Sequence, residues 1–220
     1  MLDTRLKMIY DMLPHGVVCD IGTDHGKLPV FCVKSGKSPR ALACDINKGP
    51  LSAAAGLVKK EGLCDRITLI LSDGFRDIPT AEFEAVDTFV LAGMGGELIE
   101  SILSARFTKA ELVLSPQSAV YELTDWLLSN GYDIKCRRFC KDGGRFYTAM
   151  LVKHDGVRRA RDLFYGCEKS DVFYEYLVKE RTRLEKARGA VAASEKSDKS
   201  RLADIDFILN EIKRYTDESN

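Results

Sequence analysis

Asp20 and Asp24 flank a glycine in Cys19-Asp20-Ile21-Gly22-Thr23-Asp24-His25-Gly26, and Asp45 and Asp73 follow, each behind its own apolar run. Carboxylates in this number suit a ligand that carries positive charge and free hydroxyls, because each attracts a cation and accepts hydrogen bonds. Gly22 and Gly26 have no Cβ, so a ligand can approach the backbone closely there. The loop is not the Gly-x-Gly-x-x-Gly turn that rests a pyrophosphate on helix-terminal amides. Asp24 holds the second glycine position, where its charge repels phosphate but favours a cation. Asp45 comes 25 residues after Asp20, close to the spacing at which an acidic residue takes ribose hydroxyls, and Ile46 follows it. Asp73, between Ser72 and Gly74, stands where a carboxylate accepts from an adenine amino group, and Phe75 is placed to cover the ring. Gly93 and Met94, in Ala92-Gly93-Met94-Gly95-Gly96, complete a set of four strand-end motifs. Any one of these aspartates alone reads as a turn or helix cap; three at successive strand ends read as a nucleotide-like site.

Parallel strands are needed to bring such motifs together, since open α/β sheets hold ligands at the carboxyl ends of their strands. Val17-Val18-Cys19, Ala41 to Cys44, Ile67 to Leu71 and Val86 to Leu91 are apolar without clean alternation, as in strands buried on both faces. Helical stretches alternate with them: Leu28 to Ser35, Pro50 to Glu61 and Glu97 to Leu103. A fifth strand, Glu111 to Ser115, and a helix from Ala119 to Ser129 follow. Tyr132 to Cys140 and Phe146 to His154 leave no room for a helix between them. Their link, Lys141-Asp142-Gly143-Gly144-Arg145, has hairpin composition, so the last strand enters the sheet antiparallel. The expected fold is a doubly wound α/β sheet ending in a hairpin, a termination that favours S-adenosylmethionine-dependent methyltransferases over dehydrogenases.

A boundary at Asp155-Gly156 divides this domain, residues 1–156, from a tail, residues 157–220. In the tail, Val172, Phe173, Tyr176, Leu177, Leu184 and Ala187 form one apolar stripe, and Leu202, Ile205, Ile208, Leu209 and Ile212 another. Ala192 to Asp198 can turn the chain back, giving a coiled-coil-type helical hairpin with too few heptads to set an oligomeric state; a monomer or weak dimer is expected. Lysine plus arginine and aspartate plus glutamate each total 33, so net charge neither demands nor excludes a polyanionic partner. Seven cysteines without a Cys-x-x-Cys pair, and an amphipathic rather than secretory amino terminus, point to a reducing, cytoplasmic setting. No apolar run is long enough to span a bilayer. His15, His25 and His154 have no metal-ligand spacing, so no metal is expected.

Asp-Ile-Gly-Thr-Asp-His-Gly (20–26) with Leu28-Pro29, Asp45-Ile46-Asn47-Lys48-Gly49-Pro50-Leu51, Ser72-Asp73-Gly74 and Ala-Gly-Met-Gly-Gly (92–96) resemble the bacterial tRNA (adenine-N1)-methyltransferases that modify adenine 22. The resemblance covers nearly the whole chain, tail included. It implies a Rossmann-like class I methyltransferase sheet, S-adenosylmethionine as donor and N1 of an adenine in tRNA as acceptor. Cofactor residues are then Asp20, Gly22, Thr23, Asp24, His25, Gly26, Asp45, Ile46, Ser72, Asp73, Gly74, Phe75, Gly93 and Met94. Lys27 replaces a residue commonly aromatic in the family, and Ser115-Pro116-Gln117 replaces Gln-Pro-Asn; both positions border the implied acceptor pocket.

The Gly-rich fourth strand end offers no Asn/Asp-Pro-Pro acceptors for an exocyclic amine. An endocyclic N1 has a free lone pair, so no essential general base is expected, and His25 and Gln117 are candidates for positioning the acceptor. His25 also reads as a residue that merely orders its loop. Because N1 is masked in a base pair, the base must be unpaired or flipped. Candidate phosphate handles are Lys27 after the first loop, Lys135, Arg137, Arg138, Lys141 and Arg145 around the hairpin, Arg158, Arg159 and Arg161 at the junction, and Arg181, Arg183, Lys186 and Arg188 in the tail. Two rival readings stay open: a methyltransferase acting on another RNA, a protein or a small molecule with the tail serving dimerisation, and a non-enzymatic RNA-binding module.

Overall fold

Runs rich in Val, Leu, Ala and Cys form the strands, and alternate residues of each serve opposite faces of one sheet. The computed structural model describes residues 2–193 and 198–217. In chain order the elements are α1 (Thr4–Met12), β1 (Val18–Ile21), α2 (Lys27–Lys34), β2 (Ala41–Asp45), α3 (Lys48–Lys60), β3 (Ile67–Leu71), α4 (Thr80–Glu84), β4 (Thr88–Ala92), α5 (Gly96–Ala105), β5 (Glu111–Ser115), α6 (Val120–Ser129), β6 (Tyr132–Asp142), β7 (Arg145–His154), α7 (Asp171–Ala192) and α8 (Lys199–Asp217). The sheet order is β3-β2-β1-β4-β5-β7-β6. β1 to β5 pair in parallel, and β7 lies antiparallel between β5 and β6. Strand order reverses between β1 and β4, which opens a crevice at their carboxyl ends.

Cys19, Phe89 and Leu112 face a core with Phe75, Phe83 and Ile99 from the side of α4, α5 and α6. Their neighbours Val18, Val90 and Val113 face the other side, where α1 and α2 supply Met8, Ile9, Met12, Leu28 and Cys32. β1 and β2 are buried throughout, as expected, but β3 forms the sheet edge and leaves Leu71 47% exposed. The hairpin is tighter than its composition suggests: Asp142 pairs with Arg145, leaving only Gly143 and Gly144, both at positive φ. That backbone matches the right-handed strand twist and is costly for any residue but glycine. α4 and the bulge between Ile134 and Cys136 carry no clear signal in the sequence.

Beyond β7 the chain doubles back along the outer edge of β6. The Arg137 N–H donates to the Gly166 carbonyl at 2.7 Å, and the Glu168 N–H donates to the Arg137 carbonyl at 2.9 Å. This strap covers an edge that would otherwise expose unpaired amides. Leu163 and Phe164 anchor it, both fully buried with Phe139, Phe173 and Leu177. The expected stripes of α7 and α8 meet through Leu184, Ile205 and Ile212, but the start of α7 packs on the sheet domain as well. Of the expected reversal between these helices, residues 194–197 lie outside the described residues.

Candidate active site

The loop after β1 is tied to the end of β2, since Gly22 and Thr23 both donate backbone N–H groups to the Cys44 carbonyl at 2.9 Å. Gly22 has φ +75°, and a Cβ there would stand 3.0 Å from the Met94 methyl, so the loops after β1 and β4 meet across the crevice. His25 and Gly26 follow with φ of 60° and 68° and turn the chain into α2. Asp20 is 7% exposed and accepts from the Thr23 hydroxyl at 2.7 Å. Burial pushes its carboxyl up to about 6, against the opposing pull of the Thr23 hydrogen bond and the nearby Arg5 guanidinium. Asp24 behaves differently: it is exposed on the rim, bonded to His25 Nδ1 and 3.4 Å from Lys27 Nζ. The His25 bond holds its carboxyl below the usual range. The two carboxylates of the first loop thus divide into one buried charge and one rim charge that orients His25.

At the end of β2, Asp45 is 9% exposed and uses Oδ1 to accept from the Asn47 N–H at 2.7 Å. Ile46 beside it is 61% exposed, an apolar side chain left bare at the crevice mouth. At the end of β3, the Ser72 hydroxyl donates to the Gly74 carbonyl, and Asp73 Oδ2 accepts from Arg76 at 2.6 Å. Phe75 departs from expectation. It is fully buried, with its ring 5.2 and 4.7 Å from those of Phe83 and Phe89, so it cannot cover a ligand ring. The chain turns inward at Gly74, where a Cβ would overlap Ile102, and the large apolar Phe75 ring takes the core rather than the crevice.

The acceptor side is built by the loops after β4 and β5. Gly93 donates to the Ser115 carbonyl at 3.3 Å, Gln117 to the Met94 carbonyl at 2.9 Å and Gly96 to the Ser118 carbonyl at 2.9 Å. A Cβ at Gly96 would overlap the Ala119 backbone, so this glycine is required for packing. A Cβ at Gly93 would lie 3.8 Å from Gln117 Nε2 and 3.4 Å from Arg5 Nη1. Arg5 is the residue that sequence reasoning missed. Its Nη1 is buried without a hydrogen-bond partner, and its guanidinium stands 5.9 Å from the centre of the Tyr147 ring. In the sequence Arg5 looks like one more surface charge on α1; only the packing of α1 beneath β6 and β7 brings it to the crevice.

The candidate phosphate handles separate sharply. Arg137 is fully buried and donates to the Leu163 carbonyl at 2.7 Å and the Thr148 hydroxyl at 3.2 Å, so it cannot reach a phosphate. It faces inward because β6 is covered by the strap and α6, not by solvent. Arg138 pairs with Glu168 at 2.8 Å, Arg161 with Asp125 at 3.1 Å and Arg183 with Glu180 at 2.6 Å. Arg159 is held between Asp155 and Asp133, and Arg181 stands 4.0 Å from Glu185. Arg145 and Arg158 are exposed and form no ion pair among the described residues. The described residues contain no group of three or more His, Cys, Asp and Glu able to hold a metal, and no helix long and apolar enough to cross a membrane.

A family profile described as "Methyltransferase domain" matches residues 2–150, which include every part of this crevice. The chain belongs to the methyltransferase-domain family. A methyltransferase similar over its full length is the tRNA (adenine(22)-N(1))-methyltransferase of Bacillus subtilis (strain 168), 28% identical over 98% of this chain and 97% of that one. Among solved methyltransferase structures, M. capricolum TrmK in complex with the cofactor product S-adenosyl-homocysteine superposes with a TM-score of 0.84 at 27% identity, covering 99% of this chain and 98% of that one. The B. subtilis M1A22 tRNA methyltransferase TrmK superposes with a TM-score of 0.81 at 26% identity, covering 97% and 98%.

Proposed function

We propose that the protein transfers a methyl group from S-adenosylmethionine to N1 of adenine 22 in tRNA. The observation that carries this reading is the full-length likeness, tail included, to tRNA adenine-22 N1-methyltransferases. The crevice fits the cofactor on its own chemistry: a desolvated Asp20, a wall where Gly22 meets Met94, and Asp45 beside a bare Ile46. When bound, S-adenosylmethionine supplies a sulfonium methyl. Asp20 holds the cationic amino-acid end, Asp45 accepts from the ribose hydroxyls, and Ile46, rather than Phe75, covers the adenine. Ser72, Asp73 and Gly74 form the adenine-side loop, with Asp73 shared between the ligand and Arg76.

N1 needs no deprotonation before it attacks, so alignment and exclusion of water supply the rate. Gln117 and His25 position the base, and Asp24 fixes the His25 ring. Arg145 and Arg158, which form no ion pair among the described residues, and Lys27, 3.4 Å from Asp24, supply outward cations for tRNA phosphates. We further read the chain as a cytoplasmic monomer or weak dimer in two parts, 1–156 and 157–220.

The decisive assay is methyl transfer from labelled S-adenosylmethionine into unmodified tRNA transcripts, followed by nucleoside digestion and mass spectrometry. Labelled 1-methyladenosine is expected, lost when adenine 22 is substituted; cofactor binding without label in any tRNA would overturn the acceptor. The tRNA KM is expected to rise at least about tenfold between 50 and 200 mM salt, as phosphate contacts are screened. A flat salt response would remove the outward cations from the interface.

Arg5 tunes Asp20, which gives a second test. Asp20 attracts a cation only when ionised, so cofactor affinity falls as pH drops through its pKa near 6. Arg5→Ala removes a positive charge that lowers this pKa, so the midpoint of cofactor binding moves to higher pH, whereas Arg5→Lys keeps it in place. Calorimetric titrations between pH 5 and 8 measure the midpoint; identical profiles for Arg5→Ala and the unsubstituted protein would uncouple the two residues.

A further inference from the structure

A second cleft, about 520 Å³ in volume, opens where the β6–β7 hairpin meets the flank of α7. It begins at Gln117, the residue that also borders Gly93, so it continues the acceptor side of the crevice outward. Its walls combine the aromatic rings of Phe146 and Tyr176 with the cations Arg145 and Lys179. The Phe146 ring stands at 65° to that of Tyr176, with centroids 5.9 Å apart. Lys141 and Lys179 place their ammonium groups 5.3 and 5.1 Å from its centre. The acid in this cleft is already neutralised, because Glu180 accepts from Tyr121 at 3.1 Å and pairs with Arg183. The Tyr176 hydroxyl is hydrogen-bonded to the Tyr121 hydroxyl at 3.0 Å.

Stacking platforms interleaved with cations are what single-stranded nucleic acid requires, since every base has a π-face and every nucleotide a phosphate. A purely electrostatic partner has no use for the rings. We propose that this cleft seats an unpaired nucleotide adjacent to the target in the RNA chain, its base on Phe146 beside Tyr176 and its phosphate at Arg145 and Lys179. The inference rests on the tRNA methylation reading. The hairpin and α7 then act together, because holding the neighbouring nucleotide keeps the target base unpaired and directs it past Gln117 toward Gly93. The tail thereby contributes residues to the site as well as buried area to the fold.

The test uses the full chain with Phe146→Ala, Phe146→Tyr and the exposed Arg145→Ala, unmodified tRNA transcript as substrate and S-adenosylhomocysteine as cofactor-side probe. Expected for Phe146→Ala is an increase of about tenfold in tRNA KM and tRNA Kd, with S-adenosylhomocysteine affinity within about twofold of the unsubstituted protein. Phe146→Tyr keeps a stacking ring and restores both constants, and Arg145→Ala weakens tRNA binding while flattening its salt dependence. If the unsubstituted protein methylates tRNA but Phe146→Ala and Arg145→Ala leave KM and Kd within twofold, the cleft proposal is overturned while the methyltransferase reading survives. If the unsubstituted protein binds S-adenosylhomocysteine but neither binds nor methylates tRNA, the underlying reading falls and the cleft proposal with it.

Discussion

Asp20→Asn is expected to melt at a higher temperature than the unsubstituted protein at pH 7.5 and to lose S-adenosylmethionine binding by at least about a hundredfold. The folded-state carboxyl titrates near 6 against an ordinary 3.8, chiefly because burial penalises its charge. The sign follows from proton linkage. The native state holds this proton more tightly than the unfolded chain, so the contribution of Asp20 to stability declines as pH rises from about 4 to 6 and stays low above that. The difference corresponds to about 3 kcal/mol at neutral pH, the cost of keeping the charged carboxylate inside despite its Thr23 hydrogen bond. Asparagine removes the charge and retains an acceptor for Thr23, so the apo protein gains stability. It also removes the attraction for the cationic end of the cofactor, so the gain is confined to the apo state. Thermal melts with and without cofactor at pH 5 and pH 7.5 test both parts. An Asp20→Asn protein that melts lower at pH 7.5, or binds the cofactor normally, would show that Asp20 is an ordinary structural carboxylate.

Arg137→Ala is expected to destabilise the fold by about 3–5 kcal/mol and to release the strap of residues 157–170, without being a direct loss of a tRNA contact. The guanidinium is fully buried and faces neutral acceptors only: the Leu163 carbonyl at 2.7 Å and the Thr148 and Thr124 hydroxyls at 3.2 and 3.5 Å. The Phe139 ring lies 5.3 Å away. Truncation leaves a large cavity and three acceptors without a donor, at the place where the tail joins the sheet. Arg138→Ala serves as the control, because its exposed pair with Glu168 contributes at most about 1 kcal/mol. Denaturant unfolding gives the energy, and limited proteolysis reports cleavage within 157–170. Unchanged stability and proteolysis, combined with weaker tRNA binding, would return Arg137 to the phosphate surface. The same geometry predicts that cutting the chain at 157 exposes Phe139 and removes the Leu163 carbonyl from Arg137, so a truncated core is a poor test of catalysis.

The strand-end motifs of residues 20–26, 45–46, 72–74 and 92–96, the alternation of strand and helix, and the antiparallel final strand were legible in the sequence because local rules decide them. Parallel strands buried on both faces read as unbroken apolar runs, glycines mark positions of positive φ or close approach, and Gly143-Gly144 admits little but a tight hairpin. The direction in which a side chain points is not local. Phe75 and Arg137 carry the residue types of a ring cover and a phosphate handle, yet Phe75 turns into the core at Gly74 and Arg137 is sealed by a strap from 26 or more residues away. Arg5 shows the converse, since a helix that reads as amphipathic cover delivers a guanidinium whose buried Nη1 has no hydrogen-bond partner to the crevice only once it packs under β6 and β7. Residue chemistry and backbone preference were therefore written in short segments, whereas burial, which decides whether a charge or ring is available, depends on which distant segment covers it.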